Sequence, residues 1–150
     1  MTDTSEGPGD RLFTPPGLTT LLVVAVGGAC GALLRHGIDV TFPVGALAFP
    51  WPTLVVNVTG SGALAGLAVL PAVREQPLLA ALVGPGLVGG YTTFSAYAEQ
   101  TRRLLDGGQP MVALCYLLGT LLGCLLGCLA GRGGATALVR RRNHASGPAA

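Results

Sequence analysis

Four stretches of this 150-residue chain carry no Asp, Glu, Lys or Arg: residues 12–34, 40–73, 76–98 and 107–131. Each is at least as long as the ~20 residues an α-helix needs to cross the hydrocarbon core of a bilayer. Inside lipid the backbone must satisfy its own hydrogen bonds, which leaves helices and closed barrels. A barrel of this length would need about eight short alternating strands, and the apolar runs do not alternate with period two. The pattern predicts an all-α membrane protein with four transmembrane helices. Half of the residues are hydrophobic and only 11% are charged, against about 25% in a soluble domain. So few charges cannot coat a water-exposed surface.

The punctuation of the chain sets the boundaries. Residues 1–16 are rich in Pro, Gly, Ser and Thr and predict a disordered N-terminal tail. Asp3, Glu6 and Asp10 come before any basic residue, which does not fit a signal peptide. Helices are expected over about 17–35, 52–70, 77–99 and 110–131, forming a membrane domain over 17–131. Residues 132–150, with Arg140, Arg141 and Arg142, predict a flexible basic tail that anchors topology. The loop 41–52 has interfacial character, since Trp51 suits the headgroup layer.

Small and polar residues inside the spans carry the next layer of information. Gly119, Gly123, Gly127 and Gly131 recur every fourth residue, as do Gly27–Gly31 and Gly62–Gly66. That spacing lines glycines along one helix face, where another backbone can approach. Tyr116, Thr120 and Cys124 form a second row at the same spacing, a polar stripe in an apolar helix. Each hydroxyl could equally bond back to its own helix. Asn57 is an amide within a span, costly unless bonded, and fits either a functional group or helix–helix glue. Arg35 at the end of the first run fits a snorkelling or capping charge. The cysteines Cys30, Cys115, Cys124 and Cys128 form no CxxC pair and have no histidine partners, which argues against disulfide or zinc roles.

The segment GPGLVGGYTTFSAYA, residues 84–98, is the most informative. Its Gly84, Gly86 and Gly89 match a dinucleotide fingerprint, but four membrane-length runs leave no βαβ unit to hold one. Glycines and Pro85 instead predict a third helix broken near its middle, over Gly84–Gly90. Broken helices free carbonyls at mid-membrane depth, which is tolerated inside protein or beside a water-filled cavity. Freed carbonyls can hold a small cation. Thr92, Thr93, Ser95 and Tyr97 add hydroxyl donors, and Phe94 and Tyr97 add ring edges of partial positive charge. Donors with no fixed anion nearby suit a small anion.

These motifs resemble the CrcB (Fluc) family of fluoride ion channels. GGACGALLR (27–35) is similar to the family's first-helix signature, TLVVNVTGS (53–61) to the segment around its pore asparagine, and GGYTTFSAY (89–97) to its GGxTTFSTF segment. The resemblance covers roughly residues 19–131. It implies a fluoride-selective channel at the plasma membrane, an antiparallel dimer with two pores that exports cytoplasmic fluoride passively. It implies a structural, non-transported sodium ion at the dimer interface, held by the backbone carbonyls of Gly89 and Thr92. The pore asparagine maps to Asn57 and the aromatic pair to Phe94 and Tyr97. The polar track maps to Tyr116, Thr120 and Cys124, with Thr93 and Ser95 as further donors and Arg35 in a structural role. Tyr97 stands where phenylalanine is common in the family, and Cys124 where serine is usual.

Charge leaves the assembly open. With four spans, one side holds Arg11, Arg74, Arg132 and Arg140–Arg142, and the other Arg35, Arg102 and Arg103. The positive-inside rule then puts both termini in the cytoplasm. Without Arg140–Arg142 the sides balance, as a dual-topology homodimer requires. A biased chain would need an oppositely oriented paralogue. A proton-coupled drug exporter would want a carboxylate within a span, whereas Asp39, Glu75, Glu99 and Asp106 all flank the spans. An assembly protein would leave Asn57 and the TTFS cluster unexplained. Neither a nucleic-acid footprint nor the acid–base pair of an enzyme is visible.

Overall fold

The computed structural model describes residues 16–145. The expectation of a disordered tail over 1–16 lies outside them, apart from Pro16. The elements in order are α1 (Leu18–Thr41), α2 (Trp51–Leu67), α3 (Pro71–Arg74), α4 (Pro77–Ala81), a π-helical segment (Leu82–Val88), α5 (Gly89–Tyr91), α6 (Phe94–Asp106) and α7 (Pro110–Ala145). No strand occurs among the described residues. Three segments are long and apolar enough to cross a membrane: Leu18–Thr41, Pro77–Asp106 and Pro110–His144. The 17 residues of α2 reach about 26 Å.

Proline and glycine set the ends. Pro52, Pro71 and Pro77 sit in the first positions of α2, α3 and α4, where a missing N–H costs nothing. α6 stops at Gly107–Gly108. Gly108 has φ +73°, and the Gln109 N–H closes back on the Leu104 carbonyl at 2.8 Å.

Two boundaries differ from expectation. α1 passes Arg35 and Gly37 and continues to Thr41, ending just before Pro43, the first proline on its path. α7 passes Gly131 and continues to Ala145, so residues 132–145 are helix rather than flexible tail. Ala135, Ala137, Leu138 and the arginines are good helix formers. Arg142 and His144 stand in the last turn, where cations complement the helix dipole.

Packing is glycine against backbone. α2 packs most extensively on α7, and α1 on the Pro77–Asp106 stretch, the third segment in chain order after α1 and α2. Gly62 meets Gly127 and Gly66 meets Gly131, so α2 and α7 run in the same direction. A Cβ on Gly131 would run into the Gly62 carbonyl, and one on Gly31 into the Leu87 carbonyl. Gly27 faces Leu82 and Gly86, so α1 and the third segment are also parallel. The glycine row of α7 is a packing face from Gly123 onward, while Gly119 meets nothing within 4 Å. A small buried cluster of Leu104, Ala113 and Tyr116, flanked by Phe49, Leu54, Tyr97 and Val112, closes the end where α6 meets α7. Leucines elsewhere on α7, such as Leu122, Leu126 and Leu129, face outward.

The break in the third segment is displaced from where it was expected. Residues Gly84–Gly90 do not interrupt the helix; most of them wind as a π-helical turn. Pro85 has no N–H to give its preceding turn, and the wider winding absorbs that loss. The helix stops instead at Thr92 and Thr93, whose backbones are extended (φ −79°, ψ 159° and φ −148°, ψ 120°).

Candidate functional site

Asn57 makes the break. Its Oδ1 accepts from the Thr93 N–H at 2.9 Å and its Nδ2 donates to the Thr93 carbonyl at 3.0 Å. One amide thus replaces both helical partners of one residue across 36 positions of sequence. Gly60, one turn on from Val56 and Asn57, lies against Thr92; a Cβ there would run into its methyl group. The helix restarts because Thr93 caps it, its Oγ1 accepting from the Ala96 N–H at 3.1 Å. These diversions free two carbonyls. In a continuous helix the Thr93 N–H would serve Gly89 and the Ala96 N–H would serve Thr92; here both donate elsewhere. The next carbonyl, Gly90, takes a long 3.5 Å bond from Arg35 Nε. Arg35 therefore braces the break from α1 rather than ending that helix.

Beside the break lies a groove of about 320 Å³. Asn57, Thr92, Thr93, Phe94, Tyr97, Thr120 and Cys124 all line it. Its walls are α2, the break, the first turn of α6 and α7. Thr120 is only 4% exposed and its Oγ1 has no hydrogen-bond partner among the described residues. By contrast Thr59, Thr101 and Thr136 bond back to carbonyls three or four residues earlier. Of the two options the sequence left for Thr120, back-bonding is not the one taken. Asn57, 9% exposed, keeps one N–H beyond its two bonds to Thr93. Phe94 is 79% exposed and stands at the open side, its ring centroid 5.9 Å from that of Tyr97. Cys124 contributes a free thiol.

The remaining candidates sit around the groove. Ser95 is off its lining, and its Oγ lies 3.3 Å from Thr93 Oγ1. Tyr116 is fully buried behind Tyr97, with ring centroids 5.3 Å apart. The Tyr97 hydroxyl donates to the Leu117 carbonyl at 3.1 Å, so the group that distinguishes it from phenylalanine ties α6 to α7.

Comparison with known proteins decides the family. The profile described as CrcB-like protein, Camphor Resistance (CrcB), matches residues 22–132. The chain belongs to the CrcB-like family. This CrcB-like chain is 45% identical over 117 residues to a protein of Nocardia farcinica named Fluoride-specific ion channel FluC 2, covering 77% of this chain and 84% of the relative. It is 44% identical over 120 residues to Fluoride-specific ion channel FluC of Gloeobacter violaceus (78% and 96% covered). It is 43% identical over 117 residues to the protein of that name from Erythrobacter litoralis (71% and 85%). These relatives are named as ion channels, so the family is not enzymatic. With its long apolar helices, the CrcB-like chain is a membrane protein.

Sequence reasoning missed Gln100 and Thr53. Gln100 Nε2 donates to Thr53 Oγ1 at 2.9 Å, and the Tyr116 hydroxyl donates to Gln100 Oε1 at 2.7 Å. Gln100 follows Tyr97 by three positions and Thr53 precedes Asn57 by four, so both share a face with a site residue. That spacing was the available signal; Gln100 sits within the polar EQTRRLLD segment that reads as a connection.

Proposed function

We propose that this chain is a fluoride-selective channel that lets fluoride leave the cytoplasm across the plasma membrane, passively and without covalent chemistry. The observation that carries the reading is a groove lined by Asn57, Thr120 and two aromatic rings beside a broken helix. Fluoride is small and strongly hydrated, so a pore must replace its water with donors. The spare Asn57 N–H and the edges of Phe94 and Tyr97 are such groups, Thr120 stands beside them, and no carboxylate among the described residues lines the groove. The fluoride-channel names of the relatives support the same substrate.

The chain spans the membrane four times, with α2 as the shortest span. The like directions of α1 with the third segment, and of α2 with α7, support this count, since alternate spans of a four-helix chain must run the same way. Function needs a second, oppositely oriented subunit, either the same chain or a paralogue. The wide exposure of Phe94 supports this, because a ring that completes a pore wall needs a neighbour. A structural, non-transported sodium ion fits the freed carbonyls of Gly89 and Thr92. They are hard oxygen donors whose helical N–H partners are engaged elsewhere, and freed carbonyls of discontinuous helices suit a small cation.

Purified protein in liposomes tests the reading. Fluoride efflux is expected with no matching chloride efflux, and Phe94→Ile is expected to cut the fluoride rate at least tenfold. Chloride passing as readily as fluoride would refute it.

A further inference from the structure

α7 leaves the apolar layer as a basic helical arm. Its 36 residues measure about 54 Å at ~1.5 Å per residue, against a hydrocarbon core of ~30 Å. Its charge-free part ends at Gly131. Residues 132–145 therefore stand in the headgroup layer and the water beyond it. They carry Arg132, Arg140, Arg141, Arg142 and His144, and residues 107–150 contain no acid at all. Arg132, Arg140 and Arg141 are exposed, and so is Leu138, one turn before Arg141 and Arg142.

We propose that this arm binds the anionic phospholipid headgroups of the leaflet from which α7 emerges. Guanidinium matches phosphate bidentately, and juxtamembrane clusters of four or more arginines attract anionic lipid. Helical winding turns consecutive residues by ~100°, so Arg140, Arg141 and Arg142 fan around the arm and a tilted arm turns at least one of them toward the surface. Leu138 adds an apolar contact beside them. Because the arm is helical, the trio is also held nine to eleven residues past Gly131, within the ~15–20 residues over which flanking charge counts toward orientation. The same contact thus biases the chain toward one orientation.

The test uses the full chain, purified in detergent and offered equal phosphatidylglycerol and phosphatidylcholine, with retained lipid counted by native mass spectrometry. The parent chain is expected to retain phosphatidylglycerol preferentially. The Arg140→Gln, Arg141→Gln, Arg142→Gln variant is expected to lose on the order of fivefold in that preference per arginine. The corresponding triple lysine variant keeps most of it, which separates charge from misfolding. Equal preference in the parent and the glutamine variant overturns the proposal. So does salt-sensitive self-association without lipid preference, which would assign the arm to a second copy. An inverted orientation in cells with unchanged lipid retention would leave only a topology signal and also overturns it.

Discussion

Two stretches of the third segment, seven residues of π-helix and two of extended chain, divide the labour in an unexpected way. Leu82–Val88 holds two glycines and a proline and stays wound. Thr92–Thr93 holds neither and is open. The wound stretch faces α1, whose glycines let backbones meet; the open stretch faces α2, whose Asn57 competes for the backbone of Thr93. Glycine and proline set what a backbone tolerates. A competing partner sets where it opens.

That contrast can be broken most forcefully at Asn57. Asn57→Leu leaves the Thr93 N–H and carbonyl unmatched in an apolar setting at about 1–3 kcal/mol each. Fluoride efflux is expected to vanish and thermal stability in detergent to fall sharply; near-parental efflux would show that the break holds itself open. On the wound side, Gly31→Leu drives a side chain into the Leu87 carbonyl. Overpacking of this kind costs about 1–3 kcal/mol, and it is expected to lower the melting temperature more than it changes selectivity. The smallest effect sharpens the comparison. Thr93→Ala removes the α6 cap for about 1 kcal/mol, leaves the Asn57 clamp in place and should slow efflux partially, with Thr93→Ser restoring it. A loss as complete as that of Asn57→Leu would make the cap, not the clamp, the origin of the opening.

Much of this arrangement is legible in the chain itself. Charge-free runs mark the long helices, four-residue spacing marks the glycine seams, and an amide amid valines marks Asn57 as a group in need of partners. The opening at Thr92–Thr93 is not legible, because its cause lies 36 residues away and local composition points to the glycines instead. Gln100 hides for a similar reason: beside Glu99, Arg102 and Arg103 it passes for surface, and only α7 brings Tyr116 to it. The final turns of α7 read as tail because Gly133 and Gly134 and the arginines look like a stop. The alanines between them, and the dipole that welcomes cations at a helix end, carry the helix through.

The hydroxyl of Thr120 is buried and has no hydrogen-bond partner among the described residues. Its own helix gives it no back-bond of the kind Thr59, Thr101 and Thr136 make. Any guest that answers it is held by the folded chain and not by the unfolded one, so occupancy and heat resistance are thermodynamically linked. On the proposed reading, such a pathway would be a set of way stations shallow enough to leave, each steadying the architecture while a traveller rests there.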